Sequence, residues 1–223
     1  MTLVNAVESF DVLVPAAGRR GETIELPGRL CLPAPPTALV LFAHGSGSSR
    51  TSPRNAQVAA VLHESWIGTL LFDLLTAQEA TDRVNVFDVP LLAERLLAAV
   101  RFVAGLEQTR HLPLGLFGAS TGAAAALVAA AREPRVAAVV SRGGRPDLAG
   151  RKLGAVHVPT LFIVGEADTE VLALNERAYA LLDCERRLAV VPGATHLFEE
   201  PGTLEEAARL AAEWFAKHLH MQA

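Results

Sequence analysis

Three short stretches of the chain carry side chains that could act together on a carbonyl carbon. The first is Gly118-Ala119-Ser120-Thr121-Gly122, a Gly-x-Ser-x-Gly pattern between an apolar run beginning at Leu114 and the alanine-rich residues 123–131. An apolar strand that breaks sharply into a helix is the setting in which this pattern presents a serine on a strained turn. The flanking glycines let strand and helix approach closely there. The second stretch is Val164-Gly165-Glu166-Ala167-Asp168 and the third is Pro192-Gly193-Ala194-Thr195-His196, each after its own apolar run. A serine hydroxyl is a weak nucleophile at neutral pH, so it needs a base, and the base needs an orienting partner. Ser120 then reads as nucleophile, His196 as base and Asp168 as the carboxylate that holds the imidazole tautomer. The five-residue pattern alone arises by chance in roughly one chain in ten of this length; the Ser, Asp, His order adds the weight. Asp168 equally suits a helix N-cap before Thr169, and Asp147 is the other carboxylate placed to reach His196.

Attack on a carbonyl creates an oxyanion that needs preorganised N–H donors. The amide of Thr121, just after the nucleophile, is one candidate. Ser46, in the run His44-Gly45-Ser46-Gly47-Ser48, is the preferred second donor, ahead of Gly45, although a plain flexible loop has the same composition. His44 reads as a residue that orders this loop by hydrogen bonding. Four arginines, Arg50, Arg54, Arg142 and Arg145, follow strand ends on the rim where a substrate would enter. Any one of them reads as a solvated surface charge; together they make a carboxylate- or phosphate-bearing substrate worth testing.

The elements that must hold these residues can be read in outline. Residues 8–14 and 22–32 alternate imperfectly and form an N-terminal hairpin. Residues 33–36 break the chain, and 38–43 form a continuous apolar run suited to a strand buried on both faces. A helix over 55–65 closed by Gly68, a strand over 69–73, a long helix over 89–107, the elbow strand and its helix, and a strand over 136–140 follow. A strand over 159–164, a helix over 172–183, a strand over 187–191 and a helix over 204–219 complete the pattern. Strands alternating with helices predict one α/β domain over residues 1–223, with a mostly parallel twisted sheet wrapped on both faces. The polar connection 74–88 is the longest and reads as a pocket rim or a solvated loop. No insertion is long enough for a helical cap, so an open pocket shaped by residues 45–56, 74–88 and 142–158 is expected at the carboxyl ends of the strands.

Composition narrows the classes. A chain of 223 residues that is 51% hydrophobic can bury a large single core. A net charge of −4 and a pI near 6.0 supply no basic face for nucleic acid. The apolar runs are too short to span a bilayer, and the first ten residues, with Asn5 and Glu8 and no basic flank, do not read as a signal peptide. Cys31 and Cys184 stand in no metal-like or redox-like spacing, so a reduced cytoplasmic setting is expected. His218 and His220, two apart at a helix end, make a poor metal site. No His-Glu-x-x-His and no phosphate loop ending in Lys-Ser/Thr occurs.

From the strand before His44-Gly45, through Gly118-Ala119-Ser120-Thr121-Gly122, to the loop at His196, the chain resembles the α/β-hydrolase fold in its dienelactone-hydrolase-like branch. Dienelactone hydrolases carry cysteine at the elbow, where this chain has Ser120. The resemblance with that departure implies a serine esterase or lactonase working on a small molecule through an acyl-enzyme, with no metal and no cofactor. An acyltransferase or perhydrolase would use the same three residues, and a binding protein on the same scaffold is the non-catalytic alternative.

Overall fold

The computed structural model describes residues 6–220, so the first five residues of the N-terminal stretch considered above lie outside the described ones. Eight strands form one sheet: β1 (Val7–Ala17), β2 (Thr23–Pro33), β3 (Ala38–Ala43), β4 (Ile67–Phe72), β5 (Leu114–Ala119), β6 (Val136–Arg142), β7 (Thr160–Gly165) and β8 (Arg186–Val191). Their order across the sheet is β1-β2-β4-β3-β5-β6-β7-β8. β1 and β2 form the antiparallel hairpin and β2 runs antiparallel to β4, while the remaining neighbours are parallel. β3, β4, β5 and β7 are buried at every position, which is why they read as unbroken apolar runs. The chain leaves β3 for β4 on one side and returns to place β5 on the other. The crevice beyond the carboxyl ends of β3 and β5 is therefore the topological switch point, where open α/β sheets bind ligands.

Among the described residues, six α-helices flank the sheet: α1 (Pro53–Glu64), a single turn α2 (Arg83–Val86), α3 (Val89–Gly105), α4 (Thr121–Ala130), α5 (Thr169–Leu181) and α6 (Thr203–His218). One face packs against α3, α4 and α5 around Leu41, Leu96, Leu116 and Phe162. The other packs against α1 and α6 around Phe42, Phe117, Leu62 and Phe215. All ten residues of α4 are buried, six of them alanine, so the helix can lie close to the sheet while α3 covers its other side. No described helix is long and apolar enough to cross a membrane.

Three local readings change. β4 begins at Ile67 and takes in Gly68, which thus belongs to the strand instead of closing the preceding helix. β6 runs past its apolar residues through Ser141 to Arg142, because both polar residues continue the parallel ladder to β7. Residues 74–88 are folded: a 3-10 turn at Glu79–Thr81 and α2 are held together by a side-chain bond from Asn85 Nδ2 to the Glu79 carbonyl at 2.9 Å.

Candidate active site

Ser120 sits between β5 and α4 with φ 50° and ψ −121°, a left-handed conformation that costs a non-glycine residue on the order of 1–3 kcal/mol. The surroundings hold it there. Its N–H donates to the Arg142 carbonyl at 3.2 Å, and its carbonyl accepts from the Arg145 N–H at 3.0 Å. A side chain at Gly118 would run into the backbone of Ala123, and one at Gly122 into the carbonyl of Ala43. Ser120 occupies the N-cap position of α4, yet its hydroxyl makes no capping bond.

The carboxylate of Asp168, at the end of β7, lies with Oδ2 2.6 Å from Nδ1 of His196, in the loop after β8. An ionised carboxylate only accepts, so Nδ1 carries the proton and Nε2 is the nitrogen left for chemistry. Asp168 stands at the N-cap position of α5, as its alternative reading required, but makes no capping bond there. Its side chain is 13% exposed and that of His196 38%, so the buried acid orients an imidazole that solvent can reach. Asp147 is engaged elsewhere: both its oxygens accept from Arg145, at 2.8 and 2.7 Å.

The loop after β3 lies against the elbow, and a side chain at Gly45 would meet the Ser120 Cβ at 3.0 Å. Thr121 N is the first amide of α4, a position with no acceptor within its own helix. His44 orders this loop: its Nδ1–H donates to the Gly45 carbonyl at 3.0 Å while its Nε2 accepts from the Leu74 N–H at 3.1 Å. That pair of bonds fits only the neutral ring. Burial outweighs the hydrogen bond to Gly45 and the charge of Asp73 and holds the His44 pKa below its ordinary value.

A cavity of about 210 Å³ is bounded by Ser120 and His196, by Gly45 and Ser46, and by Arg54 and Arg142. The four rim arginines separate into two pairs. Arg142 is 7% exposed; its Nη2 donates to Asn55 Oδ1 at 3.3 Å, while Nε and Nη1 have no partner among the described residues. Its guanidinium lies 5.7 Å from the ring centroid of Phe198 and 6.0 Å from that of Phe117. Burial, and then the charge of Arg54, pull its pKa down to about 10, which leaves it a cation at neutral pH. Arg54 pairs with the exposed Glu199, at 3.6 Å. Arg50 and Arg145, expected on the same rim, are not part of this cavity. Arg50 bonds Asp73 through its backbone N–H at 2.7 Å and its guanidinium at 2.6 Å, and Arg145 is the partner of Asp147. Asn55 and Phe198, which hold Arg142, went unnoticed in the sequence; their only signals were a polar residue in the first turn of α1 and an aromatic two places after His196.

A second, apolar recess of about 200 Å³ shares Gly45, Ser46 and Ser48 with this cavity. It is walled by Leu74, Leu75, Ala80, Val86 and Leu92, and Thr121 also lines it. A larger cavity of about 600 Å³, between the hairpin and α1, includes Arg50 but neither Ser120 nor His196.

The alpha/beta hydrolase domain family matches residues 36–217. Among solved structures, a dienelactone hydrolase from Anabaena variabilis is 50% identical, with a TM-score of 0.90 over 96% of this chain and 99% of that one. Est1E from Butyrivibrio proteoclasticus, at 16% identity, shares the fold with a TM-score of 0.75 over 92% of this chain and 99% of its own. A Mycobacterium tuberculosis protein provisionally named a phosphoribosyl transferase is 59% identical over 198 residues, 88% of this chain. Those residues are only 44% of that protein, so the chain spans less than half the length of this curated relative.

Proposed function

Because the chain belongs to the alpha/beta hydrolase domain family, we propose that it is a serine hydrolase of small-molecule esters or lactones, with Ser120, His196 and Asp168 as its catalytic triad. One observation carries the reading. His196, paired with Asp168 at 2.6 Å, borders the same cavity as a serine held in a strained turn with its hydroxyl unused by the helix it caps. In the reaction, Ser120 Oγ attacks the carbonyl carbon and its proton passes to His196 Nε2, which requires the two atoms to close to about 2.6–3.2 Å in the substrate complex. The oxyanion takes hydrogen bonds from the amides of Thr121 and Ser46. Collapse of the tetrahedral adduct breaks the bond to the leaving oxygen, which receives the proton from His196 and departs as an alcohol. Water then attacks the acyl-enzyme and loses its proton to His196, which passes it to Ser120 Oγ as the second tetrahedral adduct collapses and the acid is released. Asp168 remains ionised and stabilises each imidazolium.

The exposure of His196 gives water access to the base, as hydrolysis requires. Arg54 and Arg142, two guanidinium groups that line the cavity, support an anionic substrate such as one bearing a carboxylate or phosphate. The free thiols of Cys31 and Cys184 support a reducing compartment such as the cytoplasm.

A fluorophosphonate probe tests the assignment: it should label the wild-type protein at Ser120, and labelling and ester hydrolysis should both vanish in Ser120→Ala. Equal hydrolysis by a folded Ser120→Ala variant overturns it. The name of the mycobacterial relative favours a second reading, phosphoribosyl transfer, but that name describes a protein more than twice as long as the matched segment. Consumption of phosphoribosyl diphosphate by this chain, unaffected by Ser120→Ala, would favour it.

A further inference from the structure

The two cavities that meet at residues 45–48 differ in chemistry, and the position of His196 tells them apart. His196 must protonate the leaving oxygen, so the leaving group lies on its side, in the cavity that also holds Arg54 and Arg142. Beyond the oxyanion loop lies the recess of Leu74, Leu75, Ala80, Val86 and Leu92, which contains no arginine and reaches the elbow at Thr121. An acyl group attached to Ser120 can extend only away from the leaving group. Gly45, where an added side chain would meet the Ser120 Cβ at 3.0 Å, lines both cavities.

We propose that the apolar recess is the acyl pocket and the arginine-lined cavity the leaving-group pocket, so that the preferred substrate is an ester of a short apolar acid with an alcohol that itself carries a carboxylate or phosphate. This deepens the serine-hydrolase reading and depends on it. With about 30 Å³ for a water-sized volume of liquid, the recess of about 200 Å³ takes an acyl chain of roughly four to six carbons. Selectivity for acyl length is set by Ala80 and Val86, which come from the segment 79–86 and face the recess from its outer side. Ala80 is exposed, and Val86 is partly exposed while packing against the edge of the core.

The test uses two matched ester pairs and one probe. The butyryl ester of 4-hydroxybenzoate carries its charge on the leaving group, and phenyl hemisuccinate carries it on the acyl group. The first should be hydrolysed at least about tenfold faster in kcat/KM, the scale of one well-placed contact, and Arg142→Met should erase the preference. Among neutral 4-nitrophenyl esters, the ratio of hexanoate to acetate kcat/KM should fall about tenfold in Ala80→Phe, and longer chains should gain in Val86→Ala. Preference for the hemisuccinate, or acyl-length ratios unmoved by both variants while the fluorophosphonate still labels Ser120, overturns the assignment of the two pockets alone. Absence of labelling at Ser120 overturns the hydrolase reading and this inference with it.

Discussion

Five of the described α-helices begin at a serine or an aspartate, and they divide by what the side chain does there. Ser52 opens α1 and accepts from the Asn55 N–H at 3.3 Å. Asp82 opens the single turn α2 and accepts from the Val84 N–H at 2.9 Å; Asp88 opens α3 and accepts from the Leu91 N–H at 3.1 Å. Ser120 opens α4 and Asp168 opens α5, and neither caps. The residue types and positions match; the backbone and the neighbours differ. Ser120 has a left-handed φ that points its hydroxyl away from the helix, and Asp168 has an imidazole 2.6 Å away that competes for its oxygens. A cap is worth typically about 1 kcal/mol. The two site residues forgo that local gain, and their helices are held instead by burial in the sheet, most fully for α4.

The comparison is broken or sharpened by exchanging roles. Ser120→Ala should remove hydrolysis, by up to about a million-fold in kcat if the triad acts as a unit, while thermal unfolding barely changes. A loss of stability as large as that of a capping variant would show that the hydroxyl was structural after all. Asp168→Asn should lower kcat about ten-thousand-fold through the wrong tautomer of His196, and Asp147→Asn much less. Reversal of these two in steady-state kinetics would move the acid to the loop after β6.

Arg142→Met should raise KM for anionic esters roughly ten- to a hundredfold, the effect of losing about 1.5–3 kcal/mol of charged hydrogen bonding. Arg145→Met, whose partner is Asp147, should leave KM unchanged; equal effects would restore the outer arginine to the site. Ser52→Ala and Asp88→Ala should each cost about 0.5–2 kcal/mol in denaturant unfolding, with kcat within a small factor of wild type.

The smallest effect concerns pH. Burial lowers the pKa of His44, and of His63 and His218. Below about pH 6.5 the unfolded chain takes up protons that these native imidazoles refuse. Stability is therefore full above that pH and falls as the medium becomes more acidic, by at most about 1.4 kcal/mol per pH unit for His44. His44→Gln should make the acid limb of the stability curve shallower. An unchanged slope would show that the imidazole is not held neutral.

The three proposed catalytic residues were legible because each stands within a few residues of the end of an apolar strand, so a local pattern of residues implied a shared edge of the sheet. The hairpin and the buried strands were legible for the same reason. What escaped was pairing across distance. Arg50 is taken by Asp73, 23 residues away at the end of β4, and only the strand order brings them together. Arg145 was the exception: its partner stands two residues on and could have been noticed. The burial of Arg142 was hidden by the habit of ending a strand where its apolar residues end, whereas hydrogen bonds to β7 carry β6 two residues further. The fold of residues 74–88 depends on contacts to α3 and to the hairpin, which no local pattern encodes.

Those contacts centre on Arg95 of α3, 1% exposed, whose guanidinium donates to Glu79 Oε1 at 2.6 Å and to the carbonyl of Ala17 at the end of β1. Removing one partner of a buried ion pair costs about 3–5 kcal/mol, because the other charge is left stranded. The outer wall of the apolar recess thus belongs to the same cooperative unit as α3 and the hairpin, although it is a short surface segment. Amide hydrogens of residues 79–86 that are bonded within the segment should exchange through the global opening that frees α3, on a timescale far longer than that of an independently fluctuating loop. Substrates would then meet a rim already in its final shape, and the energy of binding would not be spent on ordering it.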